Sequence, residues 1–370
     1  MSTEANSQPK VSIIIIHYNT PDYLKTCFNA ILAQTYKNIE IIFIDNDSPD
    51  KSGLEFVKKT YGENPKVKIV DNKNNLGYAG AANQGIRIAI EGKSPQAALT
   101  GAQWPAPASF KKPEYLVITN PDIIYTKDYF VKAISRLEKS PHIAAITGKV
   151  YKYDFKNQKP TDLIDTVGLL AYKNRRIVDD GQGLQDEGQF DKECEVFGVS
   201  GACPLYRTKA LEDAQIMGEY LDNDFFMYKE DVDLSWRFLL FGWKALYYPK
   251  AVAYHGRGTG IHRRFSTKEI IKNRKNLSKF QKHYSFRNHL LMLKKNEPWG
   301  TFFRDFFPIM LRKIATPVYI TFREPYLWKA YLEYLKLLPK ILKKRKIIMQ
   351  RKKISNKKLS SYFKKKSKYL

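Results

Sequence analysis

Between Tyr228 and Gly256 the chain reads YKEDVDLSWRFLLFGWKALYYPKAVAYHG, which sets Glu230, Asp231 and Asp233 at the head of an apolar helix and His255 behind a strand. Carboxylates and an imidazole in that arrangement suit a catalytic base next to a metal ligand. Leu234, Phe238, Leu239 and Trp243 recur at helical spacing, so the three acids fall in the first turn, where the helix dipole favours negative charge. Ordinary capping accounts for acids at that position as well. A single histidine beside a glycine is also an ordinary turn residue, and His255 becomes a candidate ligand only where carboxylates from elsewhere converge on it.

The elements that would bring such carboxylates alternate regularly. VSIIIIHYN is an apolar run of strand length, followed by a helical pattern through Tyr23, Leu24, Cys27, Phe28, Ile31 and Leu32. IEIIFIDND predicts the next strand, Leu54 to Tyr61 a helix, VKIVDN a third strand, Gly80 to Glu91 a helix, YLVITNPD a buried strand and Asp128 to Leu137 a helix. This order implies an α/β fold with a mostly parallel, doubly wound sheet, in which ligands bind beyond the carboxyl ends of strands. Those ends are polar here: His17, Tyr18 and Asn19; Asp45, Asn46 and Asp47; Asn120 and Asp122. Neither a GxGxxG turn nor a GxxxxGK[ST] loop is present, which disfavours a dinucleotide cofactor or a P-loop triphosphate. NNLGYAGAANQG, from Asn74 to Gly85, opens a helix with glycines that either let a ligand approach the backbone or let the helix pack tightly.

Taken together and in order, VSIIIIHYN, IDNDSPD, NNLGYAGAANQG, ITNPD, FGVSGACPLYR, and FMYKEDVDLSWR followed by YYPKAVAYHG resemble a family 2 inverting glycosyltransferase of the GT-A (nucleotide-diphospho-sugar transferase) fold. The resemblance runs from about Val11 to Lys295 and is strongest to the rhamnosyltransferase-like branch. It implies that Asp45 and Asn46 hold the pyrimidine base and ribose of a nucleotide sugar, with Tyr18 and Asn19 lining the same pocket. Asn75, Gly80, Asn83 and Asn120 would lie along the nucleotide and sugar. Asp122 matches the last position of the family's DxD metal motif, which reads NPD here, and His255 matches a second metal ligand, for Mg²⁺ or Mn²⁺. Asp231 matches the base, Glu230 would orient it or the acceptor, and Asp233 fits a supporting place at the helix start. The implied reaction moves L-rhamnose from dTDP-rhamnose onto a lipid-linked or other cell-surface glycan. A UDP-sugar donor (galactofuranose, glucose or N-acetylhexosamine) is the alternative within the enzyme class. A polybasic membrane adaptor with an inactive transferase domain is the alternative outside it.

At 370 residues and 43% hydrophobic content the chain can bury a large core. The expected layout is a polar leader over 1–10, a catalytic domain over 11–297 (a nucleotide-sugar half over 11–150 and an acceptor half over 151–297), and a basic amphipathic extension over 298–370. The leader has no apolar segment and reads as neither signal peptide nor anchor, and no apolar run is long enough to span a bilayer. Cys27, Cys194 and Cys203 lack metal or redox spacing and fit reduced thiols in a cytoplasmic protein, with Cys27 buried on its helix. Residues 92–113 read as a surface insertion whose Trp104 either lids the site or packs on the surface. The net charge of +26 concentrates after Pro298, and no acid follows Glu333. Basic amphipathic helices of that kind lie on anionic membranes, with Lys343, Lys344, Arg345 and Lys346 toward lipid phosphates, and place the enzyme on the inner face of the cell membrane. Packing on the catalytic domain is the other reading, and no specific nucleic-acid motif appears.

Overall fold

A computed structural model describes residues 8–100, 106–256 and 274–369. The first half follows the alternation expected of it. Strands β1 (Val11–His17), β2 (Ile39–Asp45), β3 (Val67–Asp71) and β4 (Tyr115–Thr119) lie in the parallel order β3-β2-β1-β4. β1 is buried on both faces: Ile13 and Ile15 enter one core, Ile14 and Ile16 the other, as a strand covered by helices on both sides requires. On the first side lie α1 (Leu24–Leu32) and α2 (Ser52–Tyr61), and on the second α3 (Gly77–Glu91). Cys27 is buried on α1, and burial pushes its thiol up. The 92–113 segment contains a short helix, α4 (Pro95–Thr100), tied to α3 by Arg87 Nη1 donating to the Ala98 carbonyl at 2.9 Å. Trp104 lies outside the described residues.

YLVITNPD is not one strand. The chain turns after Thr119 and resumes as β5 (Ile123–Tyr125), while α5 (Tyr129–Glu138) leads into the long β6 (Ile143–Asp154). The second half adds β7 (Lys159–Thr166), β8 (Leu169–Tyr172), β9 (Ile177–Asp179), β10 (Cys194–Val196), β11 (Leu205–Arg207), α6 (Thr208–Asp213), α7 (Glu230–Leu240) and β12 (Lys244–His255). β11 inserts antiparallel between β4 and β6, β12 runs parallel to β6, and β5 and β10 pair antiparallel with β12. The result is a mixed sheet whose parallel first half carries the polar strand ends and whose second half folds over them.

After β12 the described residues form α8 (Lys279–Asn296), α9 (Trp299–Arg304), α10 (Phe306–Arg323), α11 (Trp328–Gln350), α12 (Asn356–Ser360) and β13 (Phe363–Lys364). The segment after Pro298 packs on the rest of the molecule. Ile341, Ile348 and Leu359 join the main core, and β13 adds a strand to β8, where Phe363 packs edge-on against Trp236 of α7. Lys344 is therefore not a lipid-facing residue: it is buried, with Nζ at 2.8 Å from Glu219, 2.5 Å from Asp222 and 2.9 Å from Asp224. Arg345 is half-buried and donates to the Lys294 carbonyl, whereas Lys343 and Lys346 are exposed.

Candidate active site

The site begins with how α7 is held. Glycine at 198 is dictated by close approach, since a Cβ there would lie 2.2 Å from the Ser235 Cβ of α7. The same loop then offers the Gly201 N–H to Asp231 Oδ2 at 2.8 Å, and the Val232 N–H reaches Oδ1 at 2.7 Å. The backbone before α7 is strained, with φ of +61° at Phe226, +70° at Tyr228 and +74° at Lys229. Side chains in left-handed conformations cost energy unless the surroundings over-determine them, and such strain gathers at functional sites. Two residues of α8 supply the constraint: Asn288 Nδ2 donates to the carbonyls of Phe225, Met227 and Tyr228, each at 2.8 Å, and Arg287 Nη2 to that of Asp224 at 2.6 Å. From the other side Gly77 (φ +69°) admits Phe226, whose ring and carbonyl would lie 2.4 Å from any Cβ.

Glu230 and Asp231 differ in what they are given. Glu230 is buried and its Oε2 has no hydrogen-bond partner, so burial first and the neighbouring Asp231 second push its carboxyl up to about 8. Asp231 is also raised by burial, but two backbone N–H groups favour its charge. Burial thus raises both carboxyls, and the two N–H groups on Asp231 favour its charged form where Glu230 Oε2 has no such support. Asp233 has a structural part: buried, it binds Arg237 at 3.1 Å, Lys295 at 2.9 Å and Asn296 at 2.8 Å.

Strand pairing brings the second group together. β12 pairs with β5 so that His255 lies beside Ile123, next to Asp122. His255 Nε2 is 3.3 Å from Asp122 Oδ2, and Nδ1 is 2.8 Å from Asp165 of β7. Burial alone would lower the imidazole, but the two carboxylates outweigh it and raise it to about 9. An imidazole whose Nδ1 is fixed by a carboxylate and whose Nε2 faces a second carboxylate is the donor set and outer support that a divalent cation uses. Among the described residues no group of three or more His, Cys, Asp or Glu could hold an ion, so any ion here would take only Asp122 and His255 from such side chains.

Both pairs open into one cleft of about 520 Å³, which Asn120 and Tyr78 also line. Asp179 of β9 and Lys229 complete its charged wall. Tyr78, Asp165 and Asp179 were not singled out in the sequence. Tyr78 sits within the glycine-rich motif and was the one within reach of motif reading; burial, with Glu230 beside it, pushes its phenol well up.

The residues expected to meet the nucleotide divide into two groups. Tyr18, Asn19 and Asn75 are exposed at the strand ends, and Gly80 is half-exposed, with only the Leu76 side chain close to where a Cβ would lie. Asp45 and Asn46 lie beneath them with their polar atoms engaged inside the protein. Asp45 meets His17 at 2.9 Å, Ser48 N at 3.2 Å and Lys51 at 3.1 Å; burial would raise its carboxyl, and these bonds hold it at about 2. Asn46 donates to Asn75 and Gly77 and accepts from Asn72 and Leu76. Asn83 is not brought to the site. It is buried on α3, donating to Leu221 O and Asn223 and accepting from the N–H groups of Tyr220 and Leu221.

Comparison with known proteins bears on the fold and on the first half of the chain. Residues 12–91, from β1 through α3, match the glycosyl transferase family 2 model. The fold is GT-A. The chain superposes on a crystal structure of GalNAc-T7 with UDP, GalNAc and Mn²⁺ with a TM-score of 0.53 at 11% identity, over 78% of this chain and 49% of that one. It is 30% identical over 144 residues to glycosyltransferase GlyG of Streptococcus pneumoniae (39% of this chain, 40% of the relative). It is 23% identical over 245 residues to the poly-beta-1,6-N-acetyl-D-glucosamine synthase of Staphylococcus epidermidis (66% and 49%). A shorter match, 38% over 84 residues, is to the hyaluronan synthase of Pasteurella multocida (23% and 8%). The chain spans less than half the length of these relatives.

Proposed function

We propose that this chain is an inverting glycosyltransferase that moves a sugar from a nucleoside diphosphate to a hydroxyl of a glycan acceptor. The observation that carries the reading is the cleft that Asp231 lines together with the Asp122–His255 pair. Asp231 accepts the proton of the acceptor hydroxyl as that oxygen bonds to the anomeric carbon, and the bond from that carbon to the diphosphate breaks with its electrons leaving on the diphosphate. Attack from the face opposite the leaving group inverts the configuration. Glu230, its carboxyl raised by burial and by Asp231, would in its protonated form add no second negative charge beside the base. Asp122 and His255 would hold a divalent cation, Mg²⁺ or Mn²⁺, which when bound supplies positive charge to the leaving diphosphate. Tyr18, Asn19, Asn75, Gly80 and Asn120 face the donor, over the loops that Asp45 and Asn46 fix.

The order of the motifs favours dTDP-rhamnose as donor and a lipid-linked or cell-surface glycan as acceptor, at the inner face of the cell membrane and against its anionic surface. A UDP-N-acetylhexosamine donor is favoured instead by the relatives named as N-acetylglucosamine-polymer and hyaluronan synthases and by the UDP and GalNAc in the structural neighbour. Thermal stabilisation of the full chain by a panel of dTDP- and UDP-sugars, with Mn²⁺ or Mg²⁺, separates the two. Stabilisation by dTDP-rhamnose alone supports the first and by UDP-N-acetylhexosamines the second, and a panel without effect would count against transferase activity.

A further inference from the structure

α9 and α10 carry large apolar side chains that stay largely exposed among the described residues. Phe307, Leu311, Ile314, Val318 and Phe322 follow at intervals of three or four residues, one face of α10, and Trp299 and Phe303 stand one turn apart on α9. Phe307 is 83% exposed, Leu311 74% and Phe322 80%. An apolar face of this extent needs an occupant.

Charge decides which occupant. The carboxylates of the segment are turned inward: Asp305 and Glu324 are buried and paired with Arg175 and with Arg274 and Lys282, and Glu333 is engaged by His283 and Arg287. The exposed charges, among them Arg304, Lys313, Arg323, Lys329 and Lys336, are basic. A second copy of the chain would set these cations against their own kind. Beside Trp299 a groove of about 480 Å³ has an apolar wall of Trp299, Leu342 and Met349 and a polar one of Arg345, Lys346 and Lys352, with no carboxylate. Apolar floor and cationic rim match an amphiphile with a phosphate headgroup. Among the described residues no helix is long and apolar enough to cross a membrane.

We propose that α9 and α10 lie in the plane of an anionic phospholipid surface, with the Phe307–Phe322 face sunk among the acyl chains and the Trp299 groove set against lipid phosphates. The docking face is thus the α10 stripe with the Trp299 groove, to which Arg345 and Lys346 belong, whereas Lys344, between Lys343 and Arg345, is buried and faces the protein. The inference rests on the transferase reading for its purpose, which is to bring the enzyme to a lipid-linked acceptor.

The test is flotation of the full-length chain with phosphatidylcholine vesicles, with and without phosphatidylglycerol. Binding is expected on the anionic vesicles and is weakened by salt. The combined variant Phe303→Ser, Phe307→Ser, Leu311→Ser, Phe322→Ser should bind on the order of 100-fold more weakly. Lys346→Gln with Lys352→Gln should lower affinity roughly tenfold on anionic vesicles and leave the weaker neutral binding as it was. Undiminished binding by the four-serine variant overturns the proposal. So does a lipid-free dimer that dissociates in that variant, which would assign the face to a second copy. Donor turnover with a soluble acceptor is read in the same samples and should match the unsubstituted chain. Stripe-dependent vesicle binding without any donor turnover would leave the surface standing and remove the transferase reading.

Discussion

At the scale of single residues, the site turns on an asymmetry between two adjacent carboxylates. Glu230 is left without a hydrogen bond on Oε2 while Asp231 takes two backbone N–H groups. A carboxyl raised from 4.5 to about 8 keeps its proton in the folded state over a range where the unfolded chain has released it. The contribution of Glu230 to stability is therefore greatest below about 4.5, falls as pH rises toward about 8, and levels off beyond. Glu230→Gln should remove that slope, as read from denaturation midpoints across the range; an unchanged slope would place the proton elsewhere. Asn288 acts one step further out, by holding three carbonyls of the strained loop. Asn288→Asp keeps the shape and loses the donors, so kcat should fall on the order of 10- to 100-fold with donor affinity nearly unchanged. A loss of thermal stability without any fall in kcat would reduce Asn288 to a packing role.

At the scale of elements, α11 shows what a basic helix does once folded. Lys344 and Lys295 neutralise Asp222, whose carboxyl burial would raise but which these two ammonium groups hold far below its usual range. Lys344→Ala leaves buried carboxylates uncompensated and should cost about 3–5 kcal/mol of unfolding free energy, whereas exposed Lys343→Ala should change it by less than about 0.5 kcal/mol. Equal effects in urea titrations would contradict this docking. The parallel strands, their polar ends and the place of Asp231 at a helix start were legible in the sequence because they follow from local periodicity and from which residues end a strand, whereas the association of Asp122 with His255 came from the likeness to the family's motifs. Lys344 was not, because the acids that bury it, Glu219, Asp222 and Asp224, lie more than a hundred residues earlier. Asp165 was hidden for a similar reason: it stands inside β7, and only the β5–β12–β6–β7 pairing carries it to His255. Asn83 looked like a ligand residue among small neighbours, and its four hydrogen bonds are spent on the 220–223 turn.

At the scale of the molecule, in the proposed function the work divides between two halves: the parallel half would present the surface for the nucleotide, and the second half supplies α7 and β12. A divalent cation held by Asp122 and His255 would join them, so EDTA should abolish transfer and added Mn²⁺ or Mg²⁺ restore it, while Asp122→Ala should weaken donor and metal binding together. Full transfer in excess chelator would mean that basic side chains such as Lys229 carry that charge. The division also predicts that the base can be removed without disturbing the donor surface. The decisive measurement is kcat and donor affinity of Asp231→Asn beside the unsubstituted chain, with the donor that gives the largest thermal stabilisation. The account predicts turnover lower by roughly 10²- to 10⁴-fold with donor affinity unchanged; donor binding lost while turnover at saturation is preserved would contradict it.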